Sequence, residues 1–573
     1  MSAGFRICPA TGRKIHADAE SLIRANAVAA TVSLLVGGIA AILVLLTRWQ
    51  AVHLLDAVWF YRILTVHGIS MLIFFIIFFE VAVLYFAGAV LLNSRLAAPK
   101  VAWAAFVLMV AGALLTELMM WTGRADVLLS SYVPLRADPL YYLGIILFAV
   151  GALIGCVVYF GTLVVAKRER TYEGSTPLVV FGATTAAIIA VITLLHGAAI
   201  YVPTFFWSLG IGTVDPQVYR LIWWALGHSS QQINVAAMVS VWYLLGALTV
   251  GSLVLNEKIS RTAFVLYIMF ISLASAHHLL VDPGMGPAWK VWNTSYAMYL
   301  AVLASMIHGF TVPAGMELGM RVRGFTKGLF EWLKKAPWGD PGFSAMIFSI
   351  VVFGFVGGIT GVTFGTEQIN IIAHNTLRIP GHFHSTVVSG TALAFMGATY
   401  YVIPLIFRKR VAFYPLARIQ PYLFAVGMLI FSMAMTFAGS FGVPRRHWDI
   451  SFAQAPFDVQ FNPAVDAVIG VMAVGGLLAA AGGGIYILVT VWSVFFGERI
   501  ELAPGQAFSG AGLPAGLLNP PPAPPAEEPA HLSHAGFGGR TPGTMVLVMV
   551  FLLAFVVYYF VNWKLLSFVW KVG

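Results

Sequence analysis

The chain has 573 residues, 60% of them hydrophobic and only 10% charged, with a net charge of +10. Soluble domains carry about 25% charged residues, so the composition excludes a water-soluble protein and indicates an all-α polytopic membrane protein. The basic residues sit in short loops, where they report topology and not nucleic-acid binding, and Cys8 and Cys156 lie in no CxxC or CxxCH pattern, which argues against disulfide frameworks, thiolate metal sites and covalent haem.

The first 20 residues are polar and contain no apolar core, so no cleavable signal is expected. A spanning helix needs about 20 mostly apolar residues. That length predicts thirteen spans: 23–47, 62–92, 101–121, 139–166, 177–205, 218–254, 262–281, 293–316, 343–368, 380–407, 418–441, 464–496 and 544–568. The predicted organisation is a core over 1–502 with twelve spans, a Pro/Gly/Ala-rich loop over 503–543 containing "NPPPAPPAEEPAH", and an additional C-terminal span within 544–573. The loops after spans 2, 4, 6, 8 and 10 are richer in Lys and Arg than the alternate loops, for example Lys167, Arg168 and Arg170, or Arg408, Lys409 and Arg410. This places the N-terminus in the cytoplasm and the C-terminus outside.

Ionisable groups inside a membrane are costly and usually functional. Six histidines fall in four predicted spans: His67 in span 2, His228 in span 6, His277 and His278 near the end of span 7, and His382 and His384 at the start of span 10. At about 1.5 Å per residue, with the orientation above, all six come to one depth in the outer half of the membrane. Residues i and i+2 of a helix point about 200° apart, so His382 and His384 face opposite sides and serve different metals. Adjacent His277 and His278 diverge by about 100° on a helix and share one ion only with a third ligand, for which His228 is the natural choice. His67 is left to pair with one of the two span-10 histidines in a bis-imidazole arrangement suited to a six-coordinate haem. Lone intramembrane histidines such as His196 are more simply packing residues.

The set "HG" in span 2, "GH" in span 6, "HH" in span 7, "HFH" in span 10 and "PRR" after span 11 resembles subunit I of the haem–copper oxidase superfamily over roughly spans 1–12. The stretches "HHLLVDPGMGPAWK" and "HNTLRIPGHFH" are similar to its B-type branch. The resemblance implies His67 and His384 as axial ligands of a low-spin haem, expected to be haem b. It implies His382 as the proximal ligand of a high-spin b-, a- or o-type haem, and His228, His277 and His278 as ligands of a facing non-haem metal. It also implies Arg445, Arg446 and His374 near haem propionates, and Asp282 near a water-filled exit. Three imidazoles without a carboxylate favour copper, with iron the alternative. The expected setting is a bacterial or archaeal cell membrane. The expected partner is a smaller electron-delivering membrane subunit with a copper or cytochrome c domain, fed by a soluble donor or a quinol.

The chain departs from the oxidases at one place. In A- and B-type oxygen reductases a tyrosine follows the span-6 histidine by four residues, on the same helix face, and is bonded to a metal-ligand histidine. Here that position is Gln232, in "GHSSQQIN". Tyr267 is ten residues before His277, roughly 15 Å along a helix, and Tyr243 is roughly 22 Å from His228; neither replaces it. Glutamine has no accessible redox state and only exchanges hydrogen bonds. Splitting O2 draws an electron and a proton from the family's tyrosine, whereas reducing two NO to N2O takes two electrons that the metals hold. The reading is therefore a nitric oxide reductase catalytic subunit, with Gln232, Gln231 and Ser230 positioning water or substrate oxygens. An oxygen reductase working without the tyrosine is the alternative, and a haem-bearing sensor or transporter is a third class. A partial B-type proton route is expected along Tyr243, Ser305, His308 and Thr311, with Glu317 near the inner end. Glu80 and Glu117 are further buried carboxylates, either of them a candidate proton relay without an assigned place.

Overall fold

The computed structural model describes residues 4–271, 275–452, 456–457, 459, 461–501 and 540–569. Among them, twelve helices are long and apolar enough to cross a membrane: α1 (Ala17–Arg48), α2 (Ala57–Val90), α3 (Pro99–Trp121), α4 (Pro139–Arg168), α5 (Leu178–Ser208), α6 (Pro216–Val250), α8 (Pro287–Val322), α9 (Pro341–Phe364), α10 (Arg378–Phe407), α11 (Tyr414–Ser440), α12 (Ala464–Phe496) and α13, which runs Pro542–Val569 with its apolar window ending at Asn562. The seventh predicted span begins as α7 (Glu257–Leu266), widens into a π turn at Tyr267–Ile271, and returns beyond residues 272–274 as a 3-10 turn, Ser275–Leu279. The all-α multi-pass fold expected from composition is the fold observed. Most of the predicted Pro-rich loop, 503–539, lies outside the described residues.

Helix starts follow local chemistry. Three spans open with Asp-Pro: Asp138 caps Leu140 N, Asp215 caps Gln217 N and Val218 N, and Asp340 caps Phe343 N, each with proline in the first turn. The carboxylate satisfies orphan amides, and proline occupies a position whose amide is unneeded. Small residues then set helix spacing. On α11, a Cβ at Gly427 would lie 2.3 Å from Ala479 N of α12, so these backbones meet directly, as small-residue membrane interfaces allow.

Two features escaped the sequence reading. A hairpin, β1 (Phe5–Ile7) and β2 (Lys14–His16), precedes α1, and its Arg6 ion-pairs with Glu20 at 2.7 Å while donating to the Leu405 carbonyl of α10. Several spans also change pitch: α2 at Ser70–Phe75 and Phe86–Val90, α9 at Phe353–Gly358 and α10 at His384–Ala392 are π-helical. Such wide turns recur at functional sites because they re-aim side chains and free carbonyls.

Candidate metal centre

His228 projects from α6 toward the 3-10 turn that carries His277 and His278. One ring nitrogen from each of the three lies within 4.8 Å of the others, an arrangement that could hold a metal ion. The 3-10 turn changes the expected geometry. On a continuous α-helix the two adjacent rings would diverge, whereas here their centroids are 4.1 Å apart. Both close on His228, at 4.5 Å for His277 and 5.3 Å for His278. His228 Nδ1 faces His278 Nε2 at 3.2 Å, and the opposite nitrogen, Nε2, accepts from the Gln232 amide at 3.2 Å.

Two residues that the sequence reading missed hold this cluster. Trp224, one turn before His228 on α6, stacks on His278 at 3.9 Å with the rings 11° from parallel. Asn370 donates to the His277 carbonyl at 3.0 Å and to the Phe364 carbonyl at 2.8 Å, tying the turn to the end of α9. The i, i+4 spacing of Trp224 and His228 was a readable signal. Asn370 works through backbone carbonyls, which carry no sequence signature.

The second arrangement joins α2 and α10. The rings of His67 and His384 are 13° from parallel with centroids 6.3 Å apart. A metal–imidazole bond is about 2 Å, so a metal between two facing rings needs centroids about 6 Å apart, and the spacing fits. His67 Nδ1–H donates to the Gly37 carbonyl at 3.0 Å and His384 Nδ1–H to the Pro380 carbonyl at 2.7 Å. His382 Nδ1–H reaches the Gly357 carbonyl at 3.0 Å, with Thr360 Oγ1 also at 3.0 Å. A ring that spends Nδ1–H on a carbonyl presents a lone pair at Nε2, the common second-shell device of ligand histidines. His382 and His384 face different neighbours as expected: His382 packs on Phe364 of α9 at 5.4 Å, and His384 on Phe431 of α11 at 5.3 Å.

A basic cluster covers one end of this region. The 443–446 segment pairs with 375–377 in an isolated antiparallel bridge, through Leu377 N to Val443 O at 2.8 Å and Arg445 N to Asn375 O at 2.9 Å, which brings Arg445 and Arg446 near His374. Arg48 pins the same loop from α1 by donating to the Pro444 carbonyl at 2.7 Å and to the His447 carbonyl. Burial, reinforced by Arg446, pushes the Arg445 guanidinium down to about 9, and its Nε is buried without a partner. Burial and Arg445 likewise push His374 down to about 4, against the opposing pull of Asp282 3.7 Å away. Two half-buried guanidiniums with an unspent, buried donor on Arg445 fit anionic carboxylates, such as haem propionates. Asp282 itself is paired with Arg220 of α6, a partner the sequence reading did not name.

Ser230 and Gln231, on the helical turn after His228, line a cavity of about 110 Å³ between α2, α4, α5 and α6. Tyr243 joins His308 Nδ1 at 3.0 Å, Thr311 at 2.8 Å and Ser260 at 3.0 Å. Ser305 reaches this group through Tyr267, whose hydroxyl lies 2.9 Å from Ser305 Oγ and whose ring packs on His308. Glu317 is not hydrogen-bonded to them among the described residues: its carboxylate accepts from Arg321 Nε, Gly543 N, Thr544 N and Thr544 Oγ1 at 2.6–3.0 Å.

A multi-pass helical bundle that buries one three-imidazole cluster and one facing imidazole pair defines a membrane oxidoreductase built to hold metals. Residues 21–478 match the family described as cytochrome c and quinol oxidase polypeptide I. Cytochrome c oxidase subunit 1 of Thermus thermophilus is 30% identical over 446 residues, covering 75% of this chain and 76% of the relative. Its Synechocystis counterpart is 24% identical over 78% of each. A cryo-EM structure of a heme-copper terminal oxidase dimer superposes with a TM-score of 0.79 at 26% identity, covering 94% of this chain and 92% of that one. The chain belongs to the haem–copper oxidase subunit I family, whose members bind haems and a copper or other metal centre and work with further subunits and electron donors.

Proposed function

We propose that this chain is the catalytic subunit of a membrane nitric oxide reductase, catalysing 2 NO + 2 e⁻ + 2 H⁺ → N2O + H2O. The observation that carries the reading is the Gln232 amide 3.2 Å from Nε2 of His228. In the resembling oxygen reductases the position of Gln232 carries the redox-active tyrosine. An amide holds the ring by hydrogen bonding and supplies neither an electron nor an acidic proton.

In this reading His67 and His384 hold a low-spin haem, His382 a high-spin haem, and His228, His277 and His278 a copper ion, with iron the alternative. When bound, these groups supply the two electrons and the site where the gas binds. The protein orients them: Gly37, Pro380 and Gly357 fix the three ring tautomers, Trp224 and Asn370 fix the histidine turn, and Arg445, Arg446 and His374 receive carboxylates. Gln232 holds His228 through Nε2, which would leave Nδ1 free to bind the ion, while Gln231 and Ser230 shape the adjoining cavity. Electrons come from a smaller membrane subunit with a copper or cytochrome c domain, itself fed by a soluble donor or a quinol. The setting is a bacterial or archaeal cell membrane, with the N-terminus cytoplasmic and the C-terminus outside.

Oxygen reduction is the second reading, and the relatives favour it: those matched here carry the name cytochrome c oxidase. Purified enzyme given a chemical reductant and either gas separates the two. Nitrous oxide formation from NO with slow O2 consumption supports the first reading. Rapid four-electron O2 consumption with negligible N2O overturns it.

A further inference from the structure

Glu80 is a carboxyl in the middle of α2 with 6% exposure and, among the described residues, no ion-pair partner. Its amide neighbour is Asn234 of α6. With its nitrogen turned toward the acceptors, Asn234 donates to Glu80 Oε1 at 2.8 Å and to the Ser230 carbonyl at 3.3 Å. One side chain thus bridges Glu80 to the helical turn that follows His228. The same residues border the cavity of about 110 Å³, whose other polar lining includes Gln231, Thr193 and Tyr201. By volume it has room for several water molecules, each needing about 10–15 Å³ and polar partners, and the Glu80, Asn234, Ser230 and Gln231 wall supplies the partners. Gln231 Oε1 is buried there without a partner while its Nε2 reaches Ser230 Oγ at 3.4 Å, so an unspent acceptor faces the cavity one residue from Gln232.

We propose that Glu80 is the proton relay of the metal centre, delivering protons through this cavity along the Asn234, Ser230 and Gln231 wall. A buried carboxyl without a cation is costly to keep, and an otherwise apolar cavity gives it no packing purpose. In each transfer the Glu80 O–H bond breaks, its proton passes along hydrogen-bonded water to the oxygen being released as water, and the carboxylate regains a proton from solvent. Two transfers meet the two protons that NO reduction consumes, and no electron moves at Glu80. The role rests on gas reduction at the three-histidine site and holds for either gas, since both reactions consume protons.

Glu80→Gln tests it, with turnover measured on whichever gas the wild-type enzyme reduces, so that failure of the nitric oxide reading leaves the test intact. The expected variant retains haem and metal content and reduces its low-spin haem at the wild-type rate. Its turnover, and proton uptake followed with a pH dye after electron injection, fall at least tenfold, and Glu80→Asp recovers most of the loss. Asn234→Leu, which keeps the carboxyl but removes its bridge, is expected to slow proton uptake similarly and decides alone if Glu80→Gln fails to assemble. Wild-type turnover and proton uptake in the assembled variant overturn the proposal.

Discussion

His228 is gripped at both ring nitrogens: Nε2 by the Gln232 amide and Nδ1 by proximity to His278 Nε2, each at 3.2 Å. The spacing of one helical turn brings Gln232 over the far side of the ring, so the residue that fixes the ligand also decides what else that nitrogen can do. A phenol there would be redox-active; an amide is not. With a metal on Nδ1, the amide presents its oxygen to Nε2–H, and the same contact survives.

Replacing Gln232 by Leu removes that hydrogen bond while keeping similar bulk. Second-shell partners of metal ligands typically contribute 10–100-fold in affinity, so Gln232→Leu is expected to lose copper or iron about tenfold more readily on dialysis against a chelator. Gln232→Glu, which retains an acceptor, is expected to hold metal nearly as well. Metal content measured by mass spectrometry checks both, and equal retention in Leu and wild-type enzyme would show that the contact is idle.

The near-parallel His67 and His384 rings imply one shared haem. His67→Leu and His384→Leu are each expected to remove one of two haems and the low-spin spectral signature with it. His382→Leu is expected to spare that signature and remove the high-spin one. Pyridine haemochrome stoichiometry with electron paramagnetic resonance distinguishes the cases. Loss of the same haem in all three variants contradicts the assignment.

The histidines were legible because a membrane makes ionisable residues rare and expensive, so six of them in four apolar segments stand out. The i, i+2 divergence of His382 and His384 was readable from helical pitch alone. The 3-10 turn under His277 and His278 was not, since "SAHHL" has the composition of an ordinary span, and the turn packs against α6 and is tied by Asn370 to the end of α9. Nor could the carbonyls that orient His67, His382 and His384 be read, because every residue carries one. The partner of Asp282 depended on α6 and the His278 turn meeting in space, 62 positions apart in sequence.

Asp340 gives a pH dependence at the start of α9. Burial pushes its carboxyl up to about 6, against the opposing hydrogen bonds from the Tyr401 hydroxyl at 2.7 Å and Phe343 N at 2.9 Å. Its unfolded value is near 3.8, so between these values the folded state binds more protons than the unfolded one. Stability is therefore highest below about pH 4 for this group and falls as pH rises through 6, by about 3 kcal/mol at most. Asparagine caps a helix equally well and does not ionise. In detergent, the thermal midpoint of Asp340→Asn is expected to rise relative to wild type between pH 4.5 and 7.5. A constant difference across that range contradicts the assignment.

Glu317 joins α8 to α13. Its carboxylate is fully buried and accepts from Gly543 N, Thr544 N and Thr544 Oγ1 in the first turn of α13, while Arg321 holds it from its own helix. Arg321 in turn donates to the Thr326 and Gly328 carbonyls at 3.2 and 2.9 Å. A carboxylate meeting unpaired amides at a helix start is an N-terminal cap made from another helix, and it is favoured by the dipole there. Because α13 buries little of its surface in the bundle, this cap carries much of its attachment. Glu317→Ala leaves the buried Arg321 without its carboxylate, a loss of roughly 3–5 kcal/mol, and frees the start of α13. Glu317→Gln keeps the volume and part of the hydrogen bonding. If Glu317 is an anchor, Glu317→Gln retains turnover near wild type, whereas Glu317→Ala exposes a cysteine placed at Thr544 to a water-soluble maleimide. If it is instead the proton entry expected from the sequence, Glu317→Gln slows turnover with the start of α13 still protected. Rates and labelling on the two variants separate the roles, and the four occupied acceptor sites favour the anchor.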